Sequence, residues 1–201
     1  MHTIDLVSSN AMAVRATMPV VARIRPSDLS LPTPCVEWDL GQLLVHMTTH
    51  HRGFAAAAAG HGDDPDAWRD RPLGDDPAQE YAKAADSVIA AFAEPGVLDR
   101  DFLMPELTPQ PVPGRLAIGF HLVDYVVHGW DVARALGIAY ELPPEVLATA
   151  LPIAQAVPDD ESRLAPGAPF APRVPDAGED PLDRILALLG RDPGKNVVLP
   201  R

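Results

Sequence analysis

The sequence predicts an all-α protein: a four-helix bundle carrying a short helical extension at its C-terminal end. Three observations lead there. Four long stretches place apolar residues at helical spacing, and two shorter ones follow them. The 23 prolines, more than double the usual share of about 5 %, cluster at 26–34, 105–113, 143–144 and 158–181, between those stretches. No alternating apolar and polar pattern is long enough for a substantial sheet. Residues 1–140 are read as the bundle and 141–201 as an extension packed on the same domain.

The first helix spans about residues 4–24 and stops before Pro26. The loop "RPSDLSLPTPCVEW" follows, and Asp39 is placed to cap the next helix, which runs through "LGQLLVHMTTHHRGFAAAAAG" to Gly60. Residues 61–75 are rich in Gly, Asp and Pro and read as a loop. Asp76-Pro77-Ala78-Gln79 then combines an N-cap, a proline at the first position and a Gln for a capping box. That third helix extends to about Ala93. Residues 96–112 form a connector with a short extended piece at "DFLM". The fourth helix covers about 114–136 and ends at Gly137. "LPPEVLATALPIAQAV" and "EDPLDRILALLGRDP" supply the two C-terminal helices, separated by a Pro- and Gly-rich loop.

A hydrophobic fraction of 47 % is too high for general disorder. The formal charge of −12 repels phosphate backbones and anionic lipid, which argues against nucleic acid and membrane as partners. No apolar run reaches the roughly 18 residues of a membrane span. Arg15 and Arg23 interrupt the N-terminal apolar segment, unlike a signal peptide. With Cys35 as the sole cysteine no intrachain disulfide forms, which fits a reducing, cytoplasmic location. An alanine-rich apolar face is equally compatible with a homodimer and with a core.

Leu40, Leu43, Leu44, Met47 and Phe54 mark the core stripe of the second helix. His46 borders that stripe, and His50 lies one turn further along the same edge. In the fourth helix Ile118, Leu122, Tyr125 and Val132 face the core, with Asp124 and His128 beside them. A carboxylate and an imidazole at i and i+4 project from one side and can share an ion, with His46 completing the set from the facing helix. Two histidines and a carboxylate leave coordination positions open, as in catalytic zinc or non-haem iron sites. The competing reading is that these are hydrogen-bonded core residues. His121 shares the face of Asp124 and His128 one turn earlier. His50, His51 and His61, which lack such a pairing, are expected to be solvated or at a helix end. Asp131 either pairs with Arg134 on the surface or orients a ligand histidine from behind. Trp130 is read as packing, and Cys35 as a loop or core thiol. No phosphate loop, G-x-S-x-G or H-E-x-x-H motif occurs.

"TPCVEWDLGQLLVHM", "HLVDYVVHGWDVARALG" and "LALLGRDP" together resemble the actinobacterial branch of the DinB-like metal-binding four-helix proteins, a branch similar to the N-terminal domain of mycothiol-dependent maleylpyruvate isomerase. The resemblance runs from the second helix to the last. It implies a divalent ion, zinc or nickel, with His46, Asp124 and His128 falling on the metal-binding positions and His50, His121 and Asp131 as secondary candidates. Related members carry glutamate or histidine where this chain has Asp124, and the shorter side chain must approach the ion more closely or act through water. The resemblance further implies a low-molecular-weight thiol co-substrate and a small-molecule substrate, hence a thiol-dependent transferase or isomerase. The alternative is a non-catalytic bundle that binds a metal or small ligand. Whether the protein is an enzyme, which substrate it takes and which metal it holds are not legible in the sequence.

Overall fold

The computed structural model describes residues 5–35, 38–105, 108–165, 168–175 and 178–194. Residue 4, the expected start of the first helix, lies outside them, as do parts of the expected loops at 36–37, 106–107, 166–167 and 176–177.

Among the described residues six α-helices form where local chemistry directs them. Helix α1 (Leu6–Val21) starts at Asp5, whose carboxylate accepts from the Ser8 amide at 2.8 Å. It ends three residues before the expected boundary. The Arg23 and Ile24 amides bond back only three residues, to Val20 and Val21, so the last turn is tightened before Pro26. Helix α2 (Leu40–Ala58) opens with a reciprocal capping box. The Gln42 amide donates to Asp39 at 2.8 Å, and the Asp39 amide donates to Gln42 Oε1 at 3.0 Å. Helix α3 (Pro77–Phe92) is capped by Asp76, which accepts from the Gln79 amide. Helix α4 (Gly114–Leu136) stops at Gly137, which takes the left-handed φ of 66° that a side chain would resist. Helices α5 (Pro144–Ala156) and α6 (Pro181–Leu188) complete the order.

The connector between α3 and α4 is more regular than its sequence suggests. Strand β1 (Asp101–Met104) pairs antiparallel with β2 (Thr108–Pro113), with Phe102 opposite Val112 and an irregularity before Met104. The expected extended piece "DFLM" is β1. Strand β2, "TPQPVP", was hidden by its three prolines. In a two-stranded ribbon each strand is an edge, so their missing amides cost no ladder bond on the outer side. Phe102, Met104 and Val112 are buried.

In the bundle α1 packs on α4 and α3, and α2 packs on α3 and α4, which sets the helices in a ring α1–α4–α2–α3 with α1 and α2 diagonal. One apolar cluster joins Val14 of α1, the Leu40–Leu43–Leu44–Met47 stripe of α2, Tyr81 of α3, and Tyr125 and Val132 of α4. A second, around Phe54, Phe92, Phe102 and Ile118, closes the end of the bundle nearest the ribbon. A third seats Leu122, Val126 and Trp130 of α4 against Val146 and Ala150 of α5 and Ile185 and Leu186 of α6. Helix α4 is therefore covered on two sides, by the bundle and by the extension, and every residue from His121 to Ala133 except Asp124 is buried. Burial of a Leu, Val or Ile side chain at such positions contributes about 1.5–3 kcal/mol each. Among the described residues no helix is long and apolar enough to cross a membrane.

Candidate metal centre

Polar side chains converge where α2 faces α4, the sparsest of the four bundle seams. His46 and His50 are one turn apart on α2, so both rings point the same way, with centroids 3.9 Å apart. Asp124 meets them from α4. Its Oδ2 lies 4.0 Å from His46 Nε2 and 3.8 Å from His50 Nδ1, and one donor atom from each of the three residues falls within 4.8 Å of the others. His128, one turn along α4, approaches the other carboxylate oxygen, with Nε2 3.3 Å from Oδ1. Its ring stands edge-on to that of His46 at 5.1 Å. Trp38, just ahead of α2, covers the group with its indole 4.3 Å from His46 and 6.0 Å from His128.

The structure thus brings His46, Asp124 and His128 together and adds His50 to the same cluster. Two expectations are corrected. His50 is neither solvated nor at a helix end, because a spacing of four from His46 puts it on the same face. His51, the next residue, is fully buried on a different face.

His121 does not join the cluster. It turns into the core, where its Nδ1 is 2.9 Å from Asn10 Nδ2 and its Nε2 is 3.2 Å from His51 Nδ1. Asn10 Nδ2 also donates to the Ile118 carbonyl at 3.4 Å, which fixes the amide orientation. His121 Nδ1 therefore accepts, and its Nε2–H donates to His51. Both rings stack on Tyr125, at 4.2 and 4.0 Å. The Tyr125 hydroxyl donates to the Met47 carbonyl.

Asp131 is fully buried and does not pair with Arg134. One oxygen accepts from His128 Nδ1 at 3.0 Å, and the carboxylate is gripped by Arg191 of the segment after α6. Arg134 instead lies over Trp130 at 5.6 Å and donates to the Pro193 carbonyl. Nothing local to an arginine 60 residues away predicts a buried carboxylate partner, so the sequence marks Arg191 only through the "LGRDP" ending of the resemblance.

The electrostatics divide these imidazoles by environment. Burial, with the neighbouring His50 imidazole, pushes His46 down to about 2 against the pull of Asp124, so it is neutral at physiological pH. Burial alone would also lower His128, but Asp124 and Asp131 outweigh it and push it up to about 9. Asp124 is held well below the usual carboxylate range, because His128 and the other imidazoles outweigh the opposing effect of burial. Burial keeps His51 well below its ordinary value and lowers His121 to about 3.

These residues fit a divalent ion. Asp124 Oδ2 is buried yet makes no hydrogen bond among the described residues, and leaving a buried acceptor unsatisfied costs about 1–3 kcal/mol. Separations of 3.8–4.0 Å to the imidazole nitrogens exceed a hydrogen bond. They fall within the span of two metal–ligand bonds of about 2.0–2.2 Å. Imidazole nitrogens with one carboxylate are a zinc- or nickel-type donor set. A cleft of about 540 Å³ opens beside His46, between the loop at Leu29–Ser30, the start of α2 and the loop at Asp70–Leu73.

Residues 11–133 match the model of the mycothiol maleylpyruvate isomerase N-terminal domain. Two relatives, uncharacterized proteins from two strains of Mycobacterium tuberculosis, are each 33 % identical over 188 residues, covering 93 % of this chain and 98 % of theirs. No solved structure matches. A domain match that ends just past the Asp124–His128–Asp131 turn, on an all-α bundle of the DinB-like kind, agrees with relatives alike over almost their whole length: the chain belongs to the family of the mycothiol maleylpyruvate isomerase N-terminal domain.

Proposed function

We propose that this protein binds a divalent metal ion, zinc or nickel, at His46, Asp124 and His128 with His50 as an adjoining donor, and uses it in a thiol-dependent transfer or isomerisation. The observation that carries the reading is the buried, unsatisfied Oδ2 of Asp124, aimed at two imidazole nitrogens too distant to hydrogen-bond with it. A core polar cluster selected for stability alone would close those gaps.

An ion held there would supply Lewis acidity, stabilising the thiolate form of a thiol near neutral pH. The chain's own residues do the rest. His46 and His50 present nitrogens from one helix face, while Asp124 contributes negative charge that offsets part of the ion's. Asp131 holds His128 Nδ1, leaving Nε2 turned toward Asp124. Trp38 shields the cluster from one side. The cleft beside His46 is lined by Ser30, Trp38, Asp39, Gln42 and Asp70 among others, with no lysine or arginine among the described lining residues. Such walls favour an occupant rich in hydroxyl and amide groups over a dianion, which suits the non-reacting part of a sugar-bearing thiol better than a dicarboxylate.

The test is elemental analysis of protein purified without a metal-affinity tag, beside Asp124→Asn and His128→Ala variants. Near-stoichiometric zinc or nickel that both variants lose is the expected result. Wild-type protein that neither retains nor takes up a divalent ion overturns the metal reading. Retained metal without thiol transfer to electrophilic substrates leaves a non-catalytic metal-binding bundle and removes the enzymatic part.

A further inference from the structure

The segment that follows α6 reaches the metal centre from behind His128, through Arg191 and Asp131. Asp131 has no exposed surface, and Arg191 is 6 % exposed. Arg191 Nε sits 3.0 and 3.2 Å from the two carboxylate oxygens, and Nη2 sits 3.0 Å from Oδ2. The same Oδ2 takes the His128 Nδ1 contact at 3.0 Å. The order Arg191–Asp131–His128–Asp124 thus runs from the C-terminal segment to the cluster.

Arg191 is itself placed with care. Gly190 takes a left-handed φ of 80° at the end of α6, and the Arg191 amide returns to the Leu186 carbonyl at 2.8 Å. The buried Arg163 donates to the Leu188 and Ala171 carbonyls, tying the loop before α6 to its last turn. Arg134 of α4 captures the Pro193 carbonyl at 3.0 Å. Anchors on both sides leave the guanidinium little freedom.

A buried ion pair is a poor way to gain stability, since desolvating two charges offsets most of their attraction. Orienting a neighbour is the better explanation of this one. A carboxylate behind a ligand histidine selects which nitrogen faces the ion and holds the ring in plane. Asp131 does this for His128 only while its own oxygens are fixed, and Arg191 fixes both.

We propose that Arg191 is a positioning residue of the metal centre: through Asp131 it sets the tautomer and orientation of His128, so that the C-terminal extension determines metal affinity. This rests on the metal reading above, and the experiment separates the two. Metal-free wild type, Asp131→Asn, Arg191→Met, Arg191→Lys and the double variant Asp131→Asn/Arg191→Met are titrated with cobalt(II) against a chelator, following the d–d spectrum. Thermal melts monitor folding. In the metal-free proteins, ¹⁵N–¹H spectra follow the His128 Nδ1–H.

Asp131→Asn is expected to lower cobalt affinity about 10–100-fold, with an altered d–d band. Arg191→Met is expected to fall in the same range, and the double variant to be no weaker than the weaker single, because the residues act as one unit. Arg191→Lys, which keeps the charge without the planar fork, should recover part of the affinity and allows the test if the methionine variant folds poorly. The Nδ1–H signal of His128 should be sharp in wild type and broadened or lost in the Arg191 variants. Arg191 variants that bind cobalt within about twofold of wild type and keep that signal overturn the proposal, as does a double variant whose loss is the product of the single losses. Wild type that binds no cobalt defeats the metal reading instead, and the metal-free spectra then decide the positioning role alone.

Discussion

Acid should destabilise the metal-free protein well above the pH at which its carboxylates are protonated, and the cause is the buried pair His51–His121. Both rings are fully buried. Burial lowers His121 to about 3 and His51 well below its ordinary value. A base whose pKa is depressed on folding contributes stability above its unfolded pKa of about 6.5, and that stability drains away as pH falls toward the folded pKa. The unfolded chain takes up a proton that the folded chain refuses. For His121 alone, going from pH 7 to pH 5 costs about 2 kcal/mol, and His51 adds in the same direction. His128 works against this trend. Its pKa is raised to about 9, so its contribution is complete below about 6.5 and is lost only as pH climbs through 9. Between pH 7 and pH 5 His128 returns only about 0.8 kcal/mol, less than the loss at His121 alone, so the balance still favours loss on acidification.

Urea unfolding at pH 7, 6 and 5 measures this directly, with His121→Gln as the control. Each kcal/mol lowers the melting temperature of a chain this size by about 2–4 °C, so His121 alone predicts a fall of roughly 4–8 °C. The glutamine variant should be less stable at pH 7 and flatter with pH. A wild-type stability that is level or rising from pH 7 to 5, or a glutamine variant with an unchanged slope, would refute the argument that these imidazoles are buried neutral.

Gly53 lies beneath the Trp68 indole, where an added Cβ would collide with the ring, so Gly53→Ala should cost about 1–3 kcal/mol in denaturant unfolding; an unchanged midpoint counts against the packing described. His50→Ala should weaken zinc or nickel binding about 10-fold or more, while His61→Ala, at an exposed loop position, leaves it unaltered; equal effects of the two would remove His50 from the cluster. Gly190→Ala forces a side chain into a φ of 80° and against the Ala171 carbonyl. It should cost at least about 1–2 kcal/mol in thermal melts, and a neutral result would mean that the turn carrying Arg191 is not held as described.

The helices were legible because their signals are local. Asp39 with Gln42, Asp76 with Pro77, and Gly137 each announce a boundary within four residues, and each sits at the boundary in the structure. Strand β2 was not legible, since "TPQPVP" has the composition of a loop and pairs only because β1 offers it an edge. Helix α4 gave a mixed signal for a related reason. Covered by the bundle on one side and by α5 and α6 on the other, it has no exposed polar face to sharpen its periodicity.

The site turns on a single step along α2. Neighbouring residues on a helix diverge by about 100°, so His50 and His51, adjacent in sequence, serve opposite surroundings. His50 lies one turn from His46 and shares its face toward Asp124. His51 lies one turn from Met47 and follows it into the core, onto Tyr125 and His121. On α4 the same geometry sends Asp124 and His128 one way while His121 and Tyr125 go the other. On the helix alone a spacing of three groups His121 with Asp124, because i and i+3 are neighbours. What decides between them is Asn10 on α1, which holds one nitrogen of the His121 ring at 2.9 Å while His51 of α2 takes the other at 3.2 Å. Spacing within one helix names the candidates for a cluster. The partners on the helices packed against it choose among them, and those partners are set by which faces meet in the ring of helices.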